Sequence, residues 1–256
     1  MSDTFQPRFY RRWTSGGRLD DYSVRVDETD LAIRASFRMA DAARELAVKY
    51  RQDLLDYAKG HPRFLTSFQP LPADDAAPEI VRLMLESGRA YDVGPMAAVA
   101  GAIAEMVGRD LLGRMKDAAG PGATGAAADP ELIIENGGDC FIKTARPAVV
   151  SLYAGPNSPF ADKLRLRIDS TDGPRGVCTS SGTIGHSTSF GKADAVVTLA
   201  HSAALADAAA TAICNAVQEP EQVRGIIERE KKRGRLLGLV ILLGKHMGAW
   251  GQLEIV

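Results

Sequence analysis

The run Ala203-Ala204-Leu205-Ala206-Asp207-Ala208-Ala209-Ala210-Thr211-Ala212-Ile213-Cys214-Asn215 contains one charged residue, Asp207. A helix that is apolar all round is a buried helix. Ser202, directly before it, suits its N-cap. A carboxylate in such a place is costly unless it is hydrogen-bonded, paired or holding a metal. Thr211 lies four residues on, one turn along the same face. A carboxylate and a hydroxyl stacked on a small-residue helix suit a hard, oxygen-seeking cation. The competing reading is structural: an arginine or backbone amides satisfy the carboxylate and no metal is needed.

Upstream of this helix the chain alternates strands and turns. Leu132-Ile133-Ile134 runs into Asn136-Gly137-Gly138-Asp139. Phe141–Thr144, Ala148–Tyr153 and Leu164–Ile168 read as strands continuing one sheet. The run 176–189, rich in Gly, Ser and Thr, reads as a loop holding Thr179-Ser180-Ser181-Gly182 and His186, and Ala195–Leu199 is again a strand. Downstream, Glu221–Arg233 reads as a charged, solvent-facing helix. Leu236–Leu243, Met247–Trp250 and Leu253–Val256 read as closing strands.

The first half reads differently. Arg8–Trp13 is an opening strand, and Tyr22–Val26 with Leu31–Ala35 alternates as a hairpin. Met39–Lys59 is a helix, with Ala43, Leu46, Ala47, Tyr50, Leu54 and Tyr57 at helical spacing. Phe64–Leu71 reads as irregular. Pro78–Tyr91 is a second helix, broken by Asp92-Val93-Gly94-Pro95-Met96. A small-residue helix then runs to about Lys116, implying close packing on another element. Glu105 near its middle is either buried and functional or solvent-facing, and the second reading is favoured. The segment 118–130 is a Gly/Ala-rich loop, separating an N-terminal half (1–117) from a C-terminal half (131–256).

Composition excludes some partners. Lys and Arg (31) nearly cancel Asp and Glu (32), so bulk charge gives no hint of nucleic-acid binding and none is expected. Leu236–Leu243 is too short to span a bilayer. The N-terminus lacks the apolar core of a signal peptide. Cys140, Cys178 and Cys214 have no metal-type spacing. They are expected to be reduced thiols of a cytoplasmic protein.

Each polar cluster taken alone has a plain reading. Gly-Gly between strands makes a tight turn, or lets backbone amides approach a nucleotide. A Thr-Ser-Ser-Gly run is a loop, or a phosphate cradle. His186 in a polar loop is a surface residue, or a general base.

In order, however, Asn136-Gly137-Gly138-Asp139, Cys178-Thr179-Ser180-Ser181-Gly182, Val196-Val197-Thr198 and Ala206-Asp207-Ala208-Ala209-Ala210-Thr211 resemble the signature blocks of the ApbE family, FAD-dependent FMN transferases. Asp92-Val93-Gly94-Pro95 resembles that family's Gly-Pro segment. The resemblance covers roughly 133–217. It implies an α+β fold, a single ApbE-like domain over 1–256, with two intertwined sheet-and-helix halves and the site between them. It implies Asp207 and Thr211 as Mg2+ ligands. It also implies Asn136, Gly137, Gly138, Asp139, Thr179, Ser180, Ser181, Gly182, Gly94 and Pro95 around FAD or another flavin nucleotide. His186 and Asp207 take the catalytic roles.

Two departures stand out. The family's Lys-Gly block has no counterpart beyond Gly108-Arg109-Asp110, and an extra serine splits Thr-Ser-Gly. The implied reaction is FMN transfer from FAD to a protein hydroxyl, or FAD pyrophosphate hydrolysis. The alternatives are a non-catalytic flavin or nucleotide binder, or an enzyme acting on another small metabolite in the same pocket. The implied partners are a small-molecule nucleotide and an acceptor protein; a homo-oligomer stays open.

Overall fold

A computed structural model of the chain describes residues 19–125, 128–152, 154, 158–160, 164–182 and 190–256. The expected strand Arg8–Trp13 and His186 lie outside the described residues.

The chain opens with a hairpin, β1 (Asp20–Val26) and β2 (Thr29–Ala35), in antiparallel register. Leu31, Ile33 and Ala35 alternate inward, as the sequence pattern requires. The helix α1 (Ala40–Gly60) buries Ala43, Leu46, Ala47, Tyr50 and Leu54 along one stripe. A short helix, α2 (Arg63–Thr66), replaces the start of the stretch expected to be irregular. Its cause is Phe64, which is fully buried and holds one turn against the core. Then come α3 (Glu79–Tyr91), a 3-10 turn (Pro95–Ala98) and α4 (Val99–Ala119).

Past the loop, β3 (Leu132–Asn136) and β4 (Asp139–Lys143) form a hairpin closed by Gly137-Gly138. Both glycines have positive φ (71° and 106°), the conformation a two-residue hairpin turn demands. The strands β5 (Ala148–Ser151) and β6 (Arg165–Ile168) follow, then β7 (Arg175–Ser180), β8 (Ala195–Ala200) and α5 (Ala203–Ala216). Last are α6 (Gln222–Arg233), β9 (Gly238–Leu243), β10 (His246–Gly251) and β11 (Glu254–Ile255).

The fold is α+β. Among the described residues, eight strands form one antiparallel sheet in the order β1-β2-β3-β4-β7-β8-β9-β10. One face carries α1, α3, α4 and α5 over the larger core. The other face carries a second core that includes Ile142, Val177, Val197 and Leu199 with Leu166 and Ile168 of β6. Here the expectation of one continuous sheet is corrected. β5 and β6 leave it and pair with β11 as a separate three-stranded sheet. β7 takes the place beside β4 instead.

Coverage on both faces explains why β8 reads as an unbroken apolar run. Val196 and Ala200 point into the helix-side core, while Ala195, Val197 and Leu199 point into the other. No helix among the described residues is long and apolar enough to cross a membrane.

Candidate functional site

The site forms where α4 and α5 pack on each other and on the same sheet, α4 over β3 and β4 and α5 over β7 and β8. Small residues permit that depth. A Cβ on Gly101 would collide with the Ala203 carbonyl and approach Asp207 Cβ, and one on Gly176 would meet Ala203 itself. The N-terminus of α5 is fixed twice. Ser202 Oγ accepts from Leu205 N at 3.2 Å, the expected N-cap. The Ser202 hydroxyl in turn donates to Glu105 Oε2 at 2.6 Å, and Ala204 N donates to the same oxygen at 3.2 Å. Glu105 is therefore buried, not solvent-facing as expected. Its carboxylate serves the positive end of α5, and Arg109 lies 3.5 Å from its other oxygen.

This anchoring sets Asp207 against the start of α4. Asp207 Oδ2 accepts a hydrogen bond from Gly101 N at 2.9 Å. Asn136 Nδ2 donates to Ala100 O at 3.1 Å, so the end of β3 is tied to the same turn of α4. Across the Gly137-Gly138 turn, Asp139 is buried, and its Oδ1 accepts from Thr179 N at 3.3 Å. Glu135 Oε1 accepts from Gly138 N at 2.7 Å and stiffens the turn.

Burial, followed by the charge of Asp139, pushes the Asp207 carboxyl well above the usual carboxylate range, against amides of Gly101 and Ala100 that favour its ionised form. Beneath them Cys178 donates its thiol to Ala203 O at 3.2 Å. Burial, then the charges of Asp139 and Asp207, push that thiol up as well. The charge of Asp139 thus acts on both the Asp207 carboxyl and the Cys178 thiol.

Asn136, Asp139, Thr179 and Asp207, from three separate segments, meet here. Asp207 is half-buried, not fully enclosed. It belongs to a half-buried stripe with Thr211 and Asn215, each four residues on along α5. Thr179 and Ser180 end the strand β7, where a loop was expected. Their hydroxyl-rich run pairs with β8, Thr179 opposite Val197 and Ser180 opposite Val196. Ser181 and Gly182 follow at the strand's exit, and Gly182 N donates to Ala193 O at 2.9 Å. Gly137 is exposed at the tip of the hairpin turn and Gly138 is half-buried beside it. Gly94 and Pro95 head the 3-10 turn packed on α5, and Gly94 N donates to Phe68 O at 2.9 Å.

Among the described residues no three His, Cys, Asp or Glu side chains cluster as a metal site. The donors at hand are two carboxylates and a hydroxyl. Hard oxygen donors of this kind, with the carboxylates repelling each other, fit a divalent cation that keeps water or phosphate oxygens in its other positions. Gly101 was legible only as one of many small residues. Glu105 stood out as a lone acid among them, but its buried reading was not the favoured one. Gly108, Arg109 and Asp110 are engaged in packing and pairing: Phe141 lies against Gly108, Arg109 pairs with Glu105, and Asp110 accepts from Tyr50 at 2.6 Å.

A family model described as AbpE bacteria matches residues 11–233. A UPF0280 protein from Methanocaldococcus jannaschii is 40% identical over 234 residues, covering 89% of each chain. Another from Methanopyrus kandleri is 39% identical over 239 residues, covering 90% of this chain and 91% of its own. Among solved structures, the apo form of the Pseudomonas stutzeri flavinyl transferase ApbE superposes with a TM-score of 0.54 at 14% identity, over 91% of this chain and 93% of that one. The flavin transferase ApbE from Vibrio cholerae gives 0.51 at 11% identity, over 91% and 96%. The two transferases share this chain's fold. By the extent of the family match and the identity to its relatives, the chain belongs to this ApbE-like family.

Proposed function

We propose, from membership of this family, that the protein binds FAD or a related flavin nucleotide with Mg2+ and acts on its pyrophosphate. The observation that carries the proposal is the pairing of Asp139 and Asp207 at the junction of β4, β7, α4 and α5. Two like charges held where burial desolvates them favour a bound cation over bare carboxylates. The solved relatives are named flavin transferases, which supplies the flavin.

In this reading the chain is a single domain whose two halves, 1–117 and 131–256, each contribute a wall. Asp207 and Thr211 hold the cation, with Asp139 beside it. A cation there would polarise the phosphoryl oxygens and offset charge as the bond breaks. Gly101 and Ala100 amides aim the Asp207 carboxylate. Asn136, through Ala100, keeps the β3–β4 turn in register with α4. The Gly137-Gly138-Asp139 turn and the Thr179–Gly182 exit line the nucleotide, with Gly94 and Pro95 flanking it. His186 takes a proton from the attacking hydroxyl. That oxygen, from water or a partner protein, bonds to the FMN phosphorus while the bridging P–O bond breaks and AMP leaves.

The test is incubation of purified protein with FAD and Mg2+, followed by chromatography. Appearance of AMP, with FMN free or protein-bound, and its loss on chelation, is the expected result. The absent Lys-Gly block favours a second reading, a non-catalytic flavin binder. Tight FAD binding without cleavage would select it. Neither binding nor cleavage would overturn both.

A further inference from the structure

The two most exposed large apolar side chains among the described residues are Phe68, at 63%, and Phe190, at 61%. They come from distant parts of the sequence yet touch edge to face, with ring centroids 5.7 Å apart and an interplanar angle of 71°. Burial in the core does not hold them there, so other contacts must.

Both backbones are moored to the walls of the candidate site. Gly94, heading the 3-10 turn, donates to Phe68 O at 2.9 Å. Asn215 Oδ1 accepts from Phe190 N at 2.8 Å, and Gln218 Nε2 donates to Phe190 O at 2.9 Å. Asn215 is the far end of the half-buried stripe that begins at Asp207 and passes through Thr211. Eight residues of helix separate Asp207 from Asn215, about 12 Å at the usual rise per residue. The 3-10 turn lies against the same helix, so the stripe is walled on that side. The carboxylates sit at one end of the stripe and the aromatic pair at the other.

We propose that Phe68 and Phe190 form the seat for the planar heteroaromatic ring of the bound nucleotide, stacking on it while the diphosphate lies at Asp139 and Asp207. The spacing matches the reach from a diphosphate across a sugar or sugar alcohol to its ring. Two exposed apolar rings at that distance gain most from a flat, poorly hydrated partner, since aromatic groups stack offset or edge to face on one another. The inference rests on the proposed function and deepens it, by naming what holds the ring.

The test uses the full chain and four probes: FAD, FMN, ADP and inorganic pyrophosphate, each with Mg2+, titrated by calorimetry. Phe68→Ala and Phe190→Ala should each weaken FAD on the order of ten- to a hundredfold and leave pyrophosphate unchanged. FMN and ADP decide which ring is seated, because only the one whose ring stacks weakens with FAD. Phe190→Trp should restore binding, with indole fluorescence quenched on adding FAD. At such exposure both alanine variants should melt with the parent, which separates lost stacking from lost folding. If Asp207→Asn lost FAD while the alanine variants bound it as the parent does, the ring seat would be wrong and the proposed function would stand. If the parent bound no flavin or adenine nucleotide, the proposed function would fail and the seat with it.

Discussion

Asp207 carries a charge that its surroundings oppose. Burial and Asp139 raise its pKa, and only the Gly101 and Ala100 amides resist. A carboxyl whose folded pKa exceeds its unfolded value adds stability that is fully present below the ordinary carboxylate range, near pH 4. That stability is lost as pH rises through the folded value. The cation-free protein should therefore lose stability over that interval, and Asp207→Asn should flatten this part of the profile. Urea titrations at a series of pH values measure it; an unchanged slope would count against the assignment. Above the interval, Mg2+ with FAD should raise the melting temperature of the parent more than that of Asp207→Asn, since the variant lacks the carboxylate that holds the cation. Cys178 follows the same physics. All three cysteines are buried thiols outside any disulfide, and the Cys178 thiol is held up. A thiol reagent at pH 8 should leave the folded protein unmodified and count three thiols after unfolding. A stoichiometric internal bridge would contradict this.

The paired helices α4 and α5 show what a run of small residues is for. Their composition announced close packing, and Gly101 is a point of direct backbone contact between them. Gly101→Ala should cost about 1–3 kcal/mol through overpacking and weaken FAD binding by displacing Asp207. Gly113 lies on the same helix, where an added Cβ would meet nothing within 4 Å. Gly113→Ala should stabilise by roughly 0.5–1 kcal/mol from helix propensity alone. Equal effects at the two positions, in denaturant titrations, would refute the packing account. The burial of Glu105 was undecided for a related reason: nothing in a sequence marks which face of an all-small helix is covered. Its partners, Ser202 and Ala204, are supplied by a distant element. Glu105→Ala should cost about 1–3 kcal/mol, because it leaves buried donors unpaired.

Across the molecule, strand and helix order were readable because period and punctuation are local. Ser202 as N-cap, the β1–β2 hairpin and the Gly137-Gly138 turn all follow from residues within a few positions of one another. Sheet membership was not. β5 and β6 have the composition of any edge strand, and their departure depends on β7 holding the place beside β4 and on β11, from the C-terminus, pairing with β6. The strand character of Thr179 and Ser180 was hidden the same way, since hydroxyl residues that read as a loop are held in register by Val196 and Val197. The site shares this dependence, for Gly101, Asp139, Thr179 and Asp207 come from four elements that only the fold assembles. The central claim is that this assembly holds a divalent cation and a flavin nucleotide. Crystals grown with FAD and Mn2+ test it directly through anomalous scattering. A manganese peak is expected between Asp139 and Asp207, within coordination distance of Asp207 and Thr211 and touching the FAD diphosphate. FAD bound elsewhere, or a cleft with no manganese beside bound nucleotide, would contradict it.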